Sequence, residues 1–373
     1  MRYGFTTGSC AAAASKAAAY MLLTGHEKKT IRIETPKGIP FDAQIEEINR
    51  EEDKVSCAVR KDGGDDPDVT TGALIFASVT LVSEEQTDNK NIIIIDGGLG
   101  VGRVTKRGLD QPVGNAAINH VPREMIIKEV SEVCGLTDYK GGIRIEISVP
   151  EGEKLAEKTF NPKLGIIGGI SILGTSGIVE PMSSQALLDT IRVELSVKKA
   201  EGCGEVAVSP GNYGLEFMKK HYQYDLDKSV KCSNFIGDTI DMAIDVGFEA
   251  MLLTGHIGKL IKLAGGMMNT HSKEGDCRME LMAAAGMTAG ITRETALAIL
   301  NAPTTDEGVR ILKEAEKLEQ TMEIIMDKAC FYLNRRGAGK IQIECIMYAK
   351  ELGELVQSSG AEKLINRIKG MGV

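Results

Sequence analysis

Along the first part of the chain, apolar and polar residues alternate with the period of two that is typical of half-buried strands. The pattern predicts strands over residues 31–33, 39–48, 54–60, 78–83, 91–96 and 142–150, with a hairpin turn at Pro36-Lys37-Gly38. Four consecutive isoleucines in the strand at 91–96 indicate burial on both faces. Helices are predicted over residues 10–23 and 122–133, and a polar linker over 151–162. The first domain is therefore predicted to be α+β and to span residues 1–155.

After the linker, short apolar runs alternate with segments of helical period. Strands are predicted over residues 166–173, 205–209, 230–233, 250–253 and 341–347, and helices over 184–195, from 215, over 237–246 and over 257–264. Strands and helices in alternation imply right-handed crossovers and a largely parallel sheet. We therefore predict a Rossmann-like α/β domain over residues 160–373. It includes amphipathic helices at 292–334, with Thr292 as an N-cap and a capping box from Thr304 to Glu307.

Composition and charge narrow the class of protein. With 373 residues, 43% of them hydrophobic, the chain is long enough to bury a core in each of two domains. Its formal charge of -8 argues against a nucleic-acid-binding protein, which needs a basic surface. The eight cysteines are spread singly, without a Cys-x-x-Cys pair, which favours reduced thiols over a zinc site. With no recognisable leader and no long apolar run, we expect a cytoplasmic protein without a membrane partner; whether it forms a homo-oligomer is left open.

The first candidate for binding chemistry is the segment Thr6-Thr7-Gly8-Ser9, which precedes an alanine-rich helix. These residues bend and cap a backbone, and the amides of an open helix N-terminus suit a phosphate or carboxylate. The alternative is an ordinary capped helix that binds nothing. Val69-Thr70-Thr71-Gly72-Ala73 repeats the pattern before a stretch that we interpret as a helix, and Gly174-Thr175-Ser176-Gly177 offers a third such loop. Three segments of this kind predict a ligand with several anionic groups.

A cluster of basic residues follows the glycine-rich run at 97–102; it consists of Arg103, Lys106, Arg107 and Arg123. The run lacks the Gly-x-Gly-x-x-Gly spacing of dinucleotide sites, so alone it is weak evidence for a nucleotide. Guanidinium and ammonium groups beside accessible backbone are suited to carboxylate recognition, whereas a solvated charge run is the alternative. The cluster is thus a candidate for binding the acidic groups of a ligand.

The loop at 62–68 concentrates the aspartates Asp62, Asp65, Asp66 and Asp68 around a glycine pair and a proline. Clustered carboxylates need a cation or open water, and calcium and magnesium select such oxygen ligands. Glycine pairs and Asp-Pro also form turns, and the spacing is not that of a calcium loop. We therefore favour a turn without a metal ion.

In the second domain, loops follow the predicted strands, and parallel sheets bind ligands at the carboxyl ends of their strands. Each loop combines glycine with Thr, Asn or Asp side chains that can hold ribose or amino-acid groups, although tight turns also need glycine. The predicted cofactor-binding residues are Gly174, Thr175, Ser176, Gly211, Asn212, Tyr213, Gly214, Asn234, Asp238, Thr254, Gly255 and His256. Farther on, His271 is a candidate base or cobalt ligand, or a histidine with only a structural partner.

Several of these segments together resemble the signature of the cobalt-precorrin-5B C1-methyltransferases, the CbiD family of anaerobic cobalamin biosynthesis. The resemblance rests on residues 3–14, 61–70, 97–109, 174–183, 233–237 and 254–259, in that order, and runs through most of the chain. It implies transfer of the methyl group of S-adenosylmethionine to carbon 1 of a cobalt-containing tetrapyrrole, giving cobalt-precorrin-6A. Cobalt would arrive inside the substrate, so no protein metal site is implied.

The resemblance also suggests roles for the candidate residues. Acetate and propionate arms of the tetrapyrrole would account for the predicted substrate-binding residues Thr6, Thr7, Gly8, Ser9, Thr70, Thr71, Arg103, Lys106 and Arg107. Methyl transfer needs alignment of donor and acceptor and exclusion of water, so no covalent nucleophile is expected. The candidates for proton removal are Asp65, Asp66, His256 and His271, which the sequence does not rank.

Two functions of other classes are weighed against this one. A nicotinamide-dependent oxidoreductase would need a Gly-x-Gly-x-x-Gly turn with an acidic residue about 20 positions later, and that pairing is absent. A non-catalytic tetrapyrrole- or polyanion-binding protein would keep the anion-binding loops and bind no methyl donor. The glycine-rich signature of the other methyltransferases of this pathway is not present either, so the donor site is predicted from the edge of the parallel sheet.

Overall fold

The computed structural model describes residues 2–82, 92–181 and 183–370 of a mixed α/β chain. Contacts within the chain divide it into two units, Met1–Ser184 and Gln185–Val373, called here the N-terminal unit and the C-terminal unit. Ser83 and Asn91, at the ends of two predicted strands, and Met182 lie outside the described residues. Among the helices that are described, none is both long enough and apolar enough to cross a bilayer.

In the N-terminal unit, helices pack on a mainly antiparallel sheet. Its helices are α1 (Thr7–Thr24), α2 (His120–Leu136), α3 (Gly152–Ala156) and α4 (Asn161–Leu164). Its strands are β1 (Gly4–Phe5), β2 (Thr30–Glu34), β3 (Pro40–Gln44), β4 (Glu46–Arg50), β5 (Lys54–Arg60), β6 (Leu74–Val82), β7 (Ile93–Gly97), β8 (Arg103–Val104), β9 (Gly142–Ser148), β10 (Ile166–Ile167) and β11 (Ile178–Val179). The main sheet has the order β4-β5-β6-β9-β7, and the predicted hairpin is confirmed as the antiparallel pair of β2 and β3.

Helix α1 forms the centre of this unit, because its small side chains allow close packing. Its seven alanines are fully buried, and it contacts α2, β5 and β6. Its single charged residue, Lys16, pairs with the buried Glu129 of α2 at 2.6 Å, so the charge inside this interface is compensated. The helix begins at Thr7, earlier than predicted, because the Thr6 side chain accepts a hydrogen bond from the backbone nitrogen of Ser9 as an N-cap.

Two sequence predictions that concern strands β6 and β7 are wrong. Strand β7 is half-buried instead of buried on both faces, because it lies at an edge of the sheet, in parallel with β9. Residues 69–73 do not begin a helix. They form a turn that leads into β6, whose alternating burial is that of a strand with one face in the core.

The segment from α3 to Ser184 belongs to the N-terminal unit. The predicted linker at 151–162 contains α3 and the start of α4. The parallel strand predicted at 166–173 is instead the short β10, which pairs with β8 in antiparallel fashion. Beyond it, Ile172 bridges to Ile118, and β11 pairs with β1. These backbone contacts join the segment to the first part of the chain, which places the division at Ser184 instead of near residue 155.

The C-terminal unit contains one five-stranded sheet among its described residues, with helices on both faces. Its strands are β12 (Glu205–Ser209), β13 (Val230–Lys231), β14 (Ala250–His256), β15 (Gln342–Ala349) and β16 (Gly353–Gln357). Its helices are α5 (Ser184–Ala200), α6 (Leu215–Tyr222), α7 (Ile236–Val246), α8 (Ile257–Leu260), α9 (Arg278–Thr288), α10 (Arg293–Leu300), α11 (Thr305–Glu314), α12 (Leu318–Gly337) and α13 (Ala361–Gly370), with 3-10 turns at Leu226–Lys228 and Ile261–Gly265. Thr292 and Thr304 cap α10 and α11 as predicted.

The sheet has the order β13-β12-β14-β15-β16; the first four strands are parallel and β16 is antiparallel. The strands predicted at 205–209, 230–233, 250–253 and 341–347 are therefore confirmed, whereas β16 and α13 are not foreseen from the sequence. From β12 the chain runs through α6 to β13 on one side, and then through α7 to β14 on the other side. This reversal leaves a crevice at the carboxyl ends of β12 and β14.

Candidate functional site

The carboxyl edge of the C-terminal sheet brings together most of the residues predicted to bind a cofactor. Gly211, Asn212, Tyr213 and Gly214 follow β12, Asn234 follows β13, and Thr254, Gly255 and His256 end β14. Because these three strands are parallel neighbours, their loops meet at one edge. Asp238 lies instead in the first turn of α7, where it lines a groove with Asp189 and Arg192 of α5.

The predicted cofactor residues Gly174, Thr175 and Ser176 belong to the N-terminal unit and not to this sheet. A Cβ on Gly174 would lie 2.4 Å from the Thr6 side chain, and the hydroxyl of Ser176 donates to the backbone oxygen of Ile178 at 3.1 Å. Their assignment to the sheet edge is wrong, because the segment before them is not one of the parallel strands.

The loop after β12 is open at its start and packed at its end. In the described structure, no atom lies within 4 Å of the position that a Cβ on Gly211 would take. Tyr213 exposes 86% of its surface. Gly214 packs so closely on Tyr348 of β15 that a Cβ would lie 2.2 Å from the ring. The loop is therefore anchored at Gly214 and presents Gly211 and the Tyr213 ring outwards.

Near this edge, the Lys231 ammonium has several hydrogen-bond partners, whereas the Thr254 hydroxyl has none in the described part of the chain. The Lys231 ammonium donates to the backbone oxygen of Leu226 at 2.5 Å and to the hydroxyls of Ser209 and Ser229 at 3.2 and 3.1 Å. Thr254 is 1% exposed, and its hydroxyl has no hydrogen-bond partner in the described part of the chain. An unsatisfied buried hydroxyl is costly, so the end of β14 keeps unused hydrogen-bonding capacity close to the crevice.

His256 has a hydrogen-bond partner at one ring nitrogen and a longer contact with a carboxylate at the other. Nδ1 accepts a hydrogen bond from the backbone nitrogen of Gly258 at 3.0 Å, which makes His256 the N-cap of α8. Nε2 then carries the proton of the neutral ring and lies 3.4 Å from Oδ1 of Asp306. Because neither nitrogen offers a free lone pair, this geometry favours a capping role over proton transfer.

His271 lies in a turn after α8, where Asn269 accepts a hydrogen bond from its backbone nitrogen at 3.1 Å. Its Nδ1 accepts from the backbone nitrogen of Lys273 at 3.0 Å. The described residues contain no group of three or more His, Cys, Asp or Glu side chains that could hold a metal ion. His271 is therefore not assigned to a metal centre by its surroundings.

The N-terminus of α1 is closed, contrary to the sequence prediction. The backbone nitrogen of Gly8 donates to the backbone oxygen of Leu173 at 3.0 Å, and the hydroxyl of Ser9 donates to that of Gly177 at 2.5 Å. Thr6, Thr7 and Ser9 are all buried. The donors predicted to face an anion are thus used to hold residues 173–177 against the helix.

Thr70 and Thr71 pack on the aspartate-rich loop at 62–68, which they follow. Both the backbone nitrogen and the hydroxyl of Thr70 donate to Oδ1 of Asp68, at 2.7 and 2.6 Å. Oδ2 of Asp68 accepts from the buried Lys61 ammonium at 2.5 Å. Thr71 packs on Gly63, where a Cβ would lie 2.3 Å from its hydroxyl oxygen. The loop is therefore held by its own hydrogen bonds, in keeping with the favoured turn.

Two other aspartates of this loop, Asp62 and Asp65, contact Arg2. The backbone nitrogen of Arg2 donates to Oδ2 of Asp65 at 2.6 Å, and its guanidinium pairs with Asp62. Asp66 has interactions of its own, and its backbone nitrogen donates to the oxygen of Gly63 at 3.3 Å. These contacts tie the start of the chain to the loop.

The contacts of Asp68 predict a loss of stability in acid. Burial alone would raise the pKa of this carboxyl, but the Lys61 ammonium and the hydrogen bonds from Thr70 hold its pKa below the ordinary value. A lowered pKa stabilises the fold above the ordinary value of 3.8, and this contribution is lost as the pH falls through the folded pKa. We expect Asp68→Asn to lower the free energy of unfolding by about 2 kcal/mol at pH 7.

Urea unfolding of the wild type and of Asp68→Asn at pH 7 and at about pH 3 checks this expectation. The difference between the two proteins should shrink in acid, because the wild-type carboxyl is then increasingly protonated. An equal difference at both pH values would contradict the role given to the Asp68 charge.

The predicted basic cluster is only partly directed outwards. Arg103 pairs with Asp96 at 2.7 Å and donates to the backbone oxygen of Gly97 at 2.5 Å. Arg123 is turned inwards and donates to backbone oxygens, and burial lowers its pKa. Lys106 packs along Gly165, whereas Arg107 is exposed. Arg107 and the outer edge of Arg103 are thus the members of the cluster that a ligand can reach.

Comparisons with known proteins agree over both units. A family model for CbiD matches residues 1–181, and one for the CbiD C-terminal domain matches residues 269–359. The chain is 49% identical to a cobalt-precorrin-5B C(1)-methyltransferase of Ruminiclostridium cellulolyticum, over 99% of this chain and 95% of that protein. It is 44% identical to the one of Alkaliphilus metalliredigens, over 100% and 96%. A crystal structure of the cobalamin biosynthesis protein cbiD from Archaeoglobus fulgidus aligns with 27% identity over 73% of this chain and 83% of that one, with a TM-score of 0.38. The chain therefore belongs to the CbiD family.

Proposed function

We propose that this protein methylates carbon 1 of cobalt-precorrin-5B to give cobalt-precorrin-6A in anaerobic cobalamin biosynthesis. The observation that supports this most strongly is the identity of 49% and 44% with proteins named for that reaction, over nearly the whole length of both chains. The substrate is a tetrapyrrole that carries its own cobalt. The reaction is thus a carbon methylation that asks for no metal site in the protein.

We further propose that the methyl donor is S-adenosylmethionine and that a Rossmann-like C-terminal domain binds it at the carboxyl edge of its sheet. Three features of that edge fit such a ligand: the open backbone at Gly211, the exposed Tyr213 ring and the unsatisfied hydroxyl of Thr254. An open glycine lets a ligand approach the backbone, an aromatic ring can stack on a base, and a buried hydroxyl can bond a polar group. S-adenosylmethionine supplies a methyl group that its sulfonium already activates.

For this methyl transfer, the protein needs to align the donor with the acceptor carbon and to exclude water from the site. We propose that the edge formed by the loops after β12 and β14 orients the donor, and that Arg103 and Arg107, the members of the basic cluster that a ligand can reach, hold carboxylate arms of the tetrapyrrole. The pairing of Arg103 with Asp96 fixes its guanidinium for such a contact. Since the Nδ1 lone pair of His256 is used to cap α8, the candidates for proton removal that we retain are Asp65, Asp66 and His271.

Incubation of the purified protein with cobalt-precorrin-5B and methyl-labelled S-adenosylmethionine tests the proposal. We expect the label in the pigment, a mass increase of one methylene group, and the new methyl on carbon 1 by nuclear magnetic resonance. Binding of the tetrapyrrole without transfer of label would instead support the non-catalytic carrier, and transfer to another carbon would contradict the assigned position.

A further inference from the structure

Two lysines that follow β14, the half-buried Lys259 and the buried Lys262, form no ion pair with a carboxylate of the described residues. The Lys259 ammonium donates to Oδ1 of Asn234 at 2.9 Å. Lys262 is 3% exposed, and its ammonium donates to the backbone oxygens of Thr270 and Gly275 at 3.2 and 2.8 Å. Within the described residues, no Asp or Glu oxygen lies within 4.0 Å of either ammonium. Lysines are rarely buried in this way unless an anion compensates them.

The charges around the two lysines compensate them only in part, since Asp276 interacts electrostatically with Lys262 but forms its ion pair with Arg278. Burial lowers the pKa of Lys259, and the neighbouring Lys262 lowers it further. The nearest titratable group that could balance Lys259 is the thiol of Cys232, which is fully buried and whose pKa burial raises to about 12. That thiol is therefore neutral at physiological pH. A local excess of positive charge thus remains in a chain whose formal charge is -8.

The contact between Lys259 and Asn234 lies at the crevice of the sheet. Asn234 follows β13 and Lys259 follows β14, and these strands are the two neighbours of β12. The hydrogen bond between the two side chains therefore joins the segments that follow the two neighbours of β12, at the carboxyl edge of the sheet.

The amide of Asn234 is oriented by this contact. Its Oδ1 accepts from Lys259 and, at 3.4 Å, from the hydroxyl of Thr270. With the oxygen fixed by two donors, the amide nitrogen of Asn234 points away from them as a donor, and it makes no hydrogen bond within the described structure. Lys259 likewise keeps two of its three donor hydrogens unused.

We propose that Lys259 and Asn234 form a carboxylate-binding site at the crevice, with Lys262 as a second positive charge behind it. The ammonium of Lys259 and the amide nitrogen of Asn234 supply two donors for one carboxylate. The inference rests on the proposed function, which offers two sources for that group: the amino-acid end of the donor, or an acetate or propionate arm of the tetrapyrrole.

The test compares Lys259→Met with Lys340→Met in the full-length protein. Lys340 is an exposed lysine just before β15, at the opposite, amino edge of the same sheet, so its replacement removes the same charge far from the crevice. For each protein we would measure the Kd for S-adenosylmethionine, the Kd for decarboxylated S-adenosylmethionine and the KM for cobalt-precorrin-5B. Thermal unfolding and circular dichroism show whether each variant is folded.

If the donor supplies the carboxylate, Lys259→Met weakens S-adenosylmethionine by about 10- to 100-fold and leaves the decarboxylated form unchanged. If the tetrapyrrole supplies it, the donor constants stay unchanged and the KM for cobalt-precorrin-5B rises by a similar factor. Lys340→Met should match the wild type in both cases.

A second variant, Asn234→Asp, places a carboxylate beside Lys259. This carboxylate should compete with that of the ligand for the ammonium, so we expect a loss of ligand affinity similar to that of Lys259→Met. It keeps the site testable if Lys259→Met does not fold. The inference is overturned if the wild type transfers methyl groups while the folded variants match it in all three constants. The proposed function fails separately, if the wild type itself transfers none.

Discussion

Replacing Gly211 by valine is expected to weaken S-adenosylmethionine binding by about 100-fold or more. In the described structure, a side chain at this position would touch nothing of the protein itself. The isopropyl group would instead fill the space through which a ligand reaches the backbone at the crevice, and a close ligand cannot share that space. Equilibrium binding of labelled donor to the wild type and the variant measures the effect.

Gly204→Val is the matched control for this variant. Gly204 stands just before β12, at the amino end of the same strand, and a Cβ there would also meet almost nothing, since its nearest neighbour is 4.0 Å away. Both variants should keep the wild-type melting temperature, whereas only Gly211→Val should lose donor affinity. If the two variants bind the donor equally well, the donor site does not lie at this end of β12.

Gly100→Ala is expected to destabilise the protein by about 4 kcal/mol, the largest stability effect that we predict. Gly100 has a φ of +71°, and a Cβ would lie 1.8 Å from the backbone oxygen of Val149. The left-handed conformation alone costs an alanine about 1 kcal/mol, and the clash adds the larger share, because a backbone oxygen cannot turn aside. Urea unfolding monitored by circular dichroism measures the loss.

Gly114→Ala separates the two contributions. Gly114 also has a positive φ, of +93°, but nothing lies within 4 Å of the position of its Cβ. We expect this variant to lose only about 1 kcal/mol, the cost of the conformation. Similar losses at both positions would show that the close approach of Gly100 and Val149 does not contribute.

The glycine-rich run before Arg103 illustrates what the sequence could predict and what it could not. From the sequence, the run showed only that it lacks the dinucleotide spacing. The actual reason for the glycines lies far along the chain: the Cβ of an alanine at Gly152 or Gly169 would meet the backbone oxygen of Gly100 at 2.0 or 2.1 Å. Three backbones thus converge at Gly100, and no local pattern announces a contact of that kind.

The parallel strands and several helices were predictable, because burial imposes a period on their own residues. The repeated Thr-Thr-Gly pattern was misleading, because the residues after the motif, and not the motif itself, decide between helix and strand. After Thr7 come alanines, which favour a helix, whereas Leu74, Ile75 and Phe76 follow Thr71 and suit a strand. More weight on these following residues would have separated the two segments.

The sequence predicted which loops form the candidate site, but it did not predict the contacts that the side chains of these loops make. The closed end of α1 depends on Leu173, which is 166 residues from Thr7, and the orientation of the Asn234 amide depends on Lys259, 25 residues farther along the chain. Lys259 stood within a recognised segment, yet its importance arises from the missing counter-charge, which only packing reveals. A basic residue three positions after the end of a buried strand was the one signal available.

The pairing of β14 with β15 also sets the order in which the protein is completed during synthesis. Ala250 pairs with Gln342, so the central strand of the C-terminal sheet lacks one of its neighbours until almost the whole chain has left the ribosome. Until then, β14 exposes an unpaired edge of buried, apolar residues, which is the kind of edge on which nascent chains associate. A message cut short before β15 would therefore yield an aggregating product instead of a shortened but folded enzyme.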